Sequence, residues 1–208
     1  MLETIVAPAT PYGESSIGVI RISGLRALEI VKTLTKAKVF KNRYAHYRKV
    51  YLDNDIIDDV IVTFYKSPNT YTGEDLVEIS CHGSVTIIKT IVNELINLGC
   101  LMAEPGEFTK RAFINGKLDL LQAESITSII KSKSDINLKN QQKILSGQLS
   151  SKLLIIKQKL LDVLSYFEHH LDIDEFDGDL EPDNYLDSLN FIQSELKNLM
   201  DSFSMGKL

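Results

Sequence analysis

The hydrophobic pattern of this chain changes near Lys117, and this change limits the folds that the chain can adopt. Before Lys117, short runs rich in Val, Ile and Tyr and bounded by Gly, Pro, Asn or Asp are typical of strands. These runs cover residues 4–7, 17–23, 45–52, 56–65 and 76–80. Residues 25–35 and 84–98 have helical periodicity instead, and Gly99 ends the second of these runs. The sequence therefore predicts an α+β domain over residues 1–117.

Beyond Lys117 the pattern is helical throughout. Asp119 and Gln122 have the spacing of a capping box, in which each side chain bonds the backbone amide of the other residue. Apolar residues then recur at spacings of mostly three or four, first at 145, 149, 156, 160, 164, 167 and 171, and later at 186, 189, 196, 199 and 203. The two series predict two long amphipathic helices, and Gly178 and Pro182 predict a turn between them. We therefore expect residues 118–208 to form an all-α helical hairpin or part of a bundle.

Charge is distributed unevenly along the chain. The formal net charge is −5; the residues through Lys117 contain 14 Lys and Arg against 13 Asp and Glu, and the remainder contain 9 against 15. Because attraction to phosphates scales with the cations that face them, this balance does not indicate an RNA-binding protein. A nucleic acid would have to meet a local basic patch or another part of the assembly.

The amino-terminal residues and the cysteines bear on the compartment. The first ten residues contain neither a basic stretch nor a long apolar run, and Cys81 and Cys100 lie in apolar surroundings. This argues against secretion and predicts a reducing, cytoplasmic location. No segment approaches the ~20 apolar residues of a membrane-spanning helix, so we expect no membrane insertion.

Two charged residues fall in the middle of predicted strands. Alternation places Arg21 on the face opposite Ile20 and Ile22, and it places Glu78 on the face opposite Val77 and Ile79. Because an unpaired buried charge costs several kcal/mol, each residue needs a partner or a wet cleft. One interpretation is a structural Arg21–Glu78 ion pair or two edge-strand charges. The other is a ligand site, in which Glu78 accepts two N–H hydrogen bonds from a planar heterocycle and Arg21 or Lys117 binds an anionic or carbonyl group.

Four motif regions carry a family resemblance: TIVAPATPYG with IGVIRISG, TGEDLVEISCHGS, PGEFTKRAFINGKLDLLQAESI and LDIDEFD. In this order they resemble the bacterial tRNA-modification GTPase family MnmE, also called TrmE. The resemblance covers nearly the whole chain, and the run from PGEF to LQAE is highly specific.

The resemblance implies a function in tRNA modification. Members of the family act with a flavoprotein, MnmG (also called GidA), and add an aminomethyl or carboxymethylaminomethyl group to carbon 5 of the wobble uridine of certain tRNAs. Their N-terminal domain has an aminomethyltransferase-like mixed sheet with helices, forms a homodimer and binds 5-formyl- or 5,10-methylene-tetrahydrofolate as the one-carbon donor. By motif match, the resemblance places the folate contacts on Arg21, Glu78 and Lys117.

The GTPase domain of that family is missing from this sequence. In the family this domain contains a G-x-x-x-x-G-K-[ST] loop and binds GTP, magnesium and potassium. Here the final SMGKL has Leu after Gly206 and Lys207 and no glycine five positions earlier, so it cannot form the phosphate cradle. We therefore expect the front part of a longer protein, without catalytic residues of its own and unable to hydrolyse GTP alone.

The sequence leaves two functions open. The first is a folate-binding and dimerisation module of a tRNA-modifying GTPase. The second is a pure assembly module, in which the α+β domain only dimerises and Arg21 and Glu78 form a structural pair. A free-standing aminomethyltransferase is disfavoured, because the helical region resembles MnmE and not that enzyme.

Other candidate sites are weaker. His82 follows the Glu78 strand and is predicted either to lie next to a ligand or to form a turn or cap hydrogen bond. Cys81 and His82 are adjacent on a strand and point to opposite faces, so we expect no catalytic dyad. The histidines and cysteines have no metal-ligand spacing, and Asp172, Asp174 and Asp177 are predicted to form a solvated helix connection instead of a calcium loop.

The charged residues after Pro105–Gly106 are predicted to form a solvated helical face. Glu107, Lys110 and Arg111 have spacings that allow ion pairs along one turn. Gly73 is expected to supply the permissive backbone conformation of the GED turn before the Glu78 strand.

Overall fold

A computed structural model describes residues 3–171 and 183–205 of the chain. The predicted turn with Gly178 and Pro182, the acidic segment 172–177 and the terminal pair Gly206 and Lys207 lie outside these residues. The chain divides into two compact units, Met1–Leu118 and Asp119–Leu208.

The first unit contains a six-stranded mixed sheet. Its strands are β1 (Ile5–Pro8), β2 (Ser15–Ser23), β3 (Ala45–Leu52), β4 (Asp55–Tyr65), β5 (Leu76–Gly83) and β6 (Leu101–Met102). They are ordered β3-β4-β5-β2-β1-β6, and neighbours are antiparallel except β1 and β6, which are parallel. The strands predicted from the sequence are confirmed within a few residues, and the two-residue β6 was not predicted.

Two helices, α1 (Ala27–Leu34) and α2 (Val85–Asn97), pack on one face of this sheet. The buried core combines alternate strand residues with the apolar stripes of both helices, and includes Ile20, Ile22, Val77, Ile79, Val31 and Ile91. Each such side chain contributes about 1.5–3 kcal/mol on burial. The predicted alternation of β2 and β5 is therefore confirmed, and Arg21 and Glu78 lie on the opposite face.

This opposite face, which carries Val19, Arg21, Glu78 and Ser80, is called the second face below. At one end, α3 (Glu107–Ile114) and residues 70–75 cover it. Ser23 of β2 is fully buried there, and its hydroxyl hydrogen-bonds the side chains of Thr72 and Glu74 in that loop. Further along the strands the second face is exposed, and its apolar residues there include Ile17, Tyr47 and Ile61. Arg21 and Glu78 thus lie where the cover ends.

The second unit contains four helices: α4 (Leu120–Ile130), α5 (Asp135–Leu145), α6 (Gln148–Leu171) and α7 (Asp183–Met205). The capping box predicted at the start of α4 is confirmed. The Gln122 amide donates to Asp119 Oδ1 at 2.8 Å, and the Asp119 amide donates to Gln122 Oε1 at 2.9 Å. These bonds satisfy two amides that the helix geometry leaves without partners.

The prediction that one helix carries both Leu145 and Leu149 is wrong. Leu145 ends α5, and Leu149 lies in α6. Gly147 between them has φ +82°, and its amide donates to the carbonyl of Ile144 at 2.9 Å. A left-handed glycine closes a helix in this way, and a spacing of four residues hides such a break from a periodicity argument.

The antiparallel hairpin of α6 and α7 is confirmed. Nζ of Lys152, near the start of α6, lies 4.0 Å from Oε2 of Glu195 in the second half of α7. Tyr166, near the end of α6, has its ring centroid 5.4 Å from that of Tyr185 at the start of α7. Among the described residues, no helix combines the length and the apolar character needed to cross a bilayer.

Candidate ligand-binding site on the second face

Arg21 and Glu78 face each other across neighbouring strands. β2 and β5 place them at paired positions of the antiparallel ladder. The Nη2 and Nε atoms of Arg21 lie 2.6 Å and 3.0 Å from Oε1 of Glu78, so the guanidinium donates two hydrogen bonds to one carboxylate oxygen. The side chains are 31% and 25% exposed. The ion pair considered from the sequence is therefore present, and solvent reaches it.

The other oxygen of the Glu78 carboxylate is less well satisfied. Its neighbour is the Tyr65 hydroxyl, 3.4 Å from Oε2, which is longer than an ordinary hydroxyl hydrogen bond. Burial, followed by the charge of Glu78, raises the pKa of Tyr65, so the phenol stays protonated and remains a donor. Because a carboxylate can accept about four hydrogen bonds, Glu78 has acceptor capacity left on Oε2.

Two aromatic rings flank the guanidinium of Arg21. Its Cζ atom lies 5.5 Å from the ring centroid of Tyr71 and 6.0 Å from that of Phe108, within the range of cation–π contact. Tyr71 belongs to the loop of residues 70–75, and Phe108 belongs to α3. The Tyr71 hydroxyl lies 2.8 Å from Oγ1 of Thr109, which joins the loop to the helix. Apolar walls beside a carboxylate and a cation suit a flat heterocycle with a polar edge.

The prediction of a solvated face at Glu107, Lys110 and Arg111 is wrong for Arg111, which is 3% exposed. The ion pair with Glu107 one turn earlier is present, at 2.8 Å from Nη2 of Arg111 to Oε1 of Glu107. Burial alone would raise the pKa of Glu107, but hydrogen bonds from the Glu104 amide and from Arg111 hold it below its usual value.

A second glutamate, far away in the sequence, explains why Arg111 can be buried. Nη1 of Arg111 lies 3.1 Å and 3.3 Å from the two carboxylate oxygens of Glu74, and 2.7 Å from the carbonyl oxygen of Glu3. Glu74 also accepts a hydrogen bond of 2.7 Å from the Ser23 hydroxyl. A buried guanidinium needs such partners on several sides. This network fixes α3 and the loop that carries Tyr71 against the ends of β1 and β2.

Lys117 lies beside the same loop. A Cβ atom built on Gly73 would lie 3.4 Å from Cγ of Lys117 and 3.1 Å from Cβ of Asn115, and the Asn115 side chain donates to the Thr72 carbonyl at 2.7 Å. Gly73 has φ +79°, the permissive conformation that the sequence predicts. Lys117 is exposed and forms no ion pair with any described residue. The structure thus pairs Arg21 with Glu78 and places Lys117 next to the loop, without an ion pair to either of the two residues.

His82 lies four residues beyond Glu78 on β5, roughly 13 Å along the strand. Its Nδ1 atom is 2.6 Å from Oδ1 of Asp58, and its amide donates to Oδ2 of Asp58 at 2.8 Å. The hydrogen bond to Asp58, together with the Asp58 charge, raises the pKa of His82. Cys81, its neighbour, is buried on the helix side, and burial raises the pKa of its thiol to about 11. The two side chains therefore point apart, as alternation predicts.

Two cavities lie near this region of the first unit. One of about 390 Å³ is lined by residues that include Ser16, Ile17, Tyr47, Asp59, Ser80 and His82. The other, of about 330 Å³, is lined by residues that include Glu3, Leu101, Met102, Lys110 and Arg111. Neither is lined by Arg21, Glu78 or Lys117. Within the described ranges, no three His, Cys, Asp or Glu residues are grouped so that they could hold a metal ion.

Comparison with known proteins assigns both units. The family described as "GTP-binding protein TrmE N-terminus" matches residues 4–117, and the one described as "MnmE helical domain" matches residues 120–208. Proteins named tRNA modification GTPase MnmE are similar in sequence. The one from Carboxydothermus hydrogenoformans is 37% identical over 217 residues, and the one from Aquifex aeolicus is 40% identical over 210 residues. Each of these alignments covers 100% of this chain and 47% of the relative.

The relative from Francisella tularensis subsp. holarctica is 49% identical over 173 residues, which are 83% of this chain and 38% of the relative. The chain thus spans about half the length, or less, of the curated relatives that it matches. Because both family matches together extend over almost all of it, the chain belongs to the MnmE (TrmE) family, of which it contains the TrmE N-terminal domain and a helical domain.

Proposed function

We propose that the first unit of this chain binds a one-carbon derivative of tetrahydrofolate, 5-formyl- or 5,10-methylene-tetrahydrofolate, and presents it for tRNA modification. The observation that carries the proposal is the half-satisfied Arg21–Glu78 pair between Tyr71 and Phe108. A pterin has a flat ring with an amino-pyrimidinone edge, and this arrangement offers both rings to pack against and a carboxylate oxygen to receive the edge.

Each side chain has a distinct role in this proposal. Glu78 accepts N–H groups of the pterin edge on Oε2, where the Tyr65 hydroxyl is 3.4 Å away and can shift. Arg21 holds the carboxylate in position through its two hydrogen bonds to Oε1. Lys117, exposed beside Gly73, attracts the carbonyl groups or the glutamate tail of the ligand. His82 is a more distant candidate neighbour, at the far end of β5. The bound folate would supply the one-carbon unit.

The wider activity is proposed from the family. The relatives are named tRNA modification GTPases, and we propose that this chain acts in the same process, the modification of carbon 5 of the wobble uridine with the flavoprotein MnmG in the cytoplasm. GTP hydrolysis, with its magnesium and potassium ions, would take place in a further domain. Exposed Ile17, Tyr47 and Ile61 on the second face support self-association of the first unit as a homodimer.

A specific observation favours the alternative of a pure assembly module. The contact of 2.6 Å between Arg21 and Glu78 already satisfies the guanidinium in part, so the pair could serve the fold alone. In that case ligand binding is absent and only dimerisation remains.

Calorimetric titration of the purified chain with 5-formyltetrahydrofolate tests the proposal. We expect saturable binding that Glu78→Gln abolishes or weakens by at least about tenfold, because the neutral amide replaces a charged acceptor. Glu94→Gln, a change of the same kind on α2, is the matched control and should bind like the wild type.

Two accompanying measurements keep the result interpretable. Circular dichroism and analytical ultracentrifugation establish that each variant is folded and report its oligomeric state. A folded, dimeric wild-type chain that does not bind the folate would contradict the proposal and favour the assembly module. Equal binding by Glu78→Gln and the wild type would remove Glu78 from the site.

A further inference from the structure

Residues 36–51 form a basic and aromatic segment that the overall charge conceals. The segment contains six Lys and Arg residues, one His and no Asp or Glu, in a chain whose net charge is −5. Aromatic residues alternate with these cations at positions 40, 44, 47 and 51. It begins in the loop after α1 and continues through most of the edge strand β3. The segment is therefore a candidate, in the first unit, for the local basic patch that a nucleic acid would require.

Most cations of the segment have no acidic partner. Lys49 pairs with Asp59 at 2.8 Å. The other five, within the part of the chain that the structure describes, have no carboxylate within ion-pair distance: Lys36, Lys38, Lys41, Arg43 and Arg48. These five cations lie within 13 residues of the chain, and unpaired cations that lie close together produce a positive potential that attracts a polyanion.

The aromatic residues of the segment are placed beside these cations. Lys41 Nζ lies 5.8 Å from the ring centroid of Tyr44, and Lys36 Nζ lies 4.6 Å from that of Tyr51. Tyr44 is 56% exposed, so its ring is open to other molecules. Cations that can follow a phosphate backbone, together with open rings on which bases stack, are the two features of surfaces that bind single-stranded nucleic acid.

Protection of a sheet edge explains only part of this pattern. Charged side chains on an edge strand prevent pairing with another sheet, and Arg48 and Lys49 on β3 can serve that purpose. Lys38, Lys41 and Arg43 precede the strand, and the exposed ring of Tyr44 does nothing to protect an edge. Edge protection therefore does not account for these four residues.

Arg43 of the segment also contacts residues beside the candidate folate site. Arg43 Cζ lies 5.6 Å from the ring centroid of Tyr65, and the hydroxyl of Tyr65 lies 3.4 Å from Oε2 of Glu78. The Arg43 guanidinium also donates to the carbonyl of Asn69, next to the loop that carries Tyr71. Tyr65 therefore connects Arg43 of the segment to Glu78 of the candidate folate site.

We infer that residues 36–51 bind single-stranded RNA, with phosphates at Lys38, Lys41 and Arg43 and an unpaired base stacked on Tyr44. The inference deepens the proposed function and rests on it for the identity of the partner as RNA. Unpaired nucleotides are the required form, because the bases of a duplex are already stacked and cannot reach Tyr44.

Fluorescence anisotropy with a labelled oligouridylate of about 12 nucleotides tests the phosphate contacts, at salt between about 50 and 200 mM. The double variant Lys38→Gln/Lys41→Gln should bind more weakly. Its slope of log affinity against log salt should be shallower by about 1.4, since each lost phosphate contact on a single strand removes about 0.7. The matched control is Lys89→Gln/Lys157→Gln, which removes the same charge at exposed positions elsewhere. Equal weakening in both double variants would overturn the inference.

Tyr44→Ala tests the stacking of a base. We expect at least about fivefold weaker binding of the oligouridylate, and Tyr44→Phe should retain the wild-type affinity, because the ring and not the hydroxyl carries the contact. Binding of duplex RNA should not respond to Tyr44→Ala. If polyaspartate competes as well as RNA of equal charge and Tyr44→Ala has no effect, the segment is a surface for acidic proteins and the inference is wrong.

The same samples separate this inference from the proposed function. Lys38→Gln/Lys41→Gln should bind 5-formyltetrahydrofolate like the wild type, because neither residue touches the Arg21–Glu78 pair. Intact folate binding, with RNA binding that responds to neither Lys38→Gln/Lys41→Gln nor Tyr44→Ala, would contradict only the docking surface. Absence of folate binding with Tyr44-dependent RNA binding would contradict only the folate proposal.

Discussion

Arg111 and Arg21 both pair with glutamate in the first unit, but their surroundings differ. The Arg111 side chain is 4% exposed and contacts two glutamates and a backbone carbonyl. Arg21 is 31% exposed and donates twice to one oxygen of Glu78, leaving the other oxygen with a long hydroxyl contact. A buried and fully satisfied network holds one arrangement, whereas a half-satisfied pair near solvent can accept a further partner. Exposure and unused acceptors therefore distinguish the two pairs better than distance does.

Of the variants considered, Arg111→Met should lower the stability of the first unit most strongly. Removal of the guanidinium leaves the carboxylates of Glu74 and Glu107 without their buried cation, and loss of one member of a buried pair costs about 3–5 kcal/mol. Urea denaturation measures the change in the free energy of unfolding.

Lys110→Met, an exposed neighbour on α3, is the control for Arg111→Met and should change stability by less than about 0.5 kcal/mol. If Arg111→Met costs no more than this control, the network does not hold the loop and α3 together. The contrast with Arg21 would then disappear.

Gly73→Ala tests the loop that joins the two arginine sites. Gly73 has φ +79°, and an alanine in this conformation costs about 1–2 kcal/mol. Its Cβ would also lie 3.1 Å from Cβ of Asn115, next to Lys117. We expect lower stability and weaker folate binding.

Gly106→Ala is the matched comparison for Gly73→Ala, because Gly106 has φ +80° and a Cβ there would meet nothing within 4 Å. It should have a similar dihedral cost and unchanged folate affinity, measured by calorimetry. If both variants bind folate with equal affinity, the conformation of the loop at Gly73 does not control how Asn115 and Lys117 are placed for binding.

Glu78→Gln should have a small effect on stability, in contrast to Arg111→Met. Because the pair is partly exposed, its loss should cost about 1 kcal/mol or less in urea denaturation. The expected large effect is on folate binding. A cost as large as that of Arg111→Met would identify Arg21–Glu78 as a structural pair, which favours the assembly module.

Much of this comparison could be predicted from local sequence patterns. Alternation placed Arg21 and Glu78 opposite the core, because Ile20, Ile22, Val77 and Ile79 define the buried face. The capping box at Asp119 and the glycine turn at Gly73 also followed from local spacing. These features depend on residues that are neighbours along the chain.

What sequence patterns missed depends on long-range contacts. The burial of Arg111 results from Glu74, 37 residues away, so its spacing with Glu107 indicated only a surface ion pair. The break at Gly147 was hidden because the apolar spacing continues across it. The basic segment 36–51 was concealed by summing charge over the whole domain, although a window of 16 residues would have revealed it.

The pair of His82 and Asp58 extends the comparison to the smallest expected effect. His82 is 69% exposed, whereas Asp58 is 7% exposed and bonds both the ring and the amide of His82. Because Asp58 raises the pKa of His82 in the folded state, the charged imidazolium contributes stability that is fully present below the unfolded value of about 6.5. This contribution is lost as pH rises through the folded-state pKa. Unfolding free energies measured across this range should therefore decline towards higher pH, and the decline should be smaller in His82→Gln.

NMR titration should give a pKa above about 6.5 for His82. A value at or below 6.5 would mean that the Asp58 contact orients a neutral ring, and the exposed pair would then contribute no pH-dependent stability.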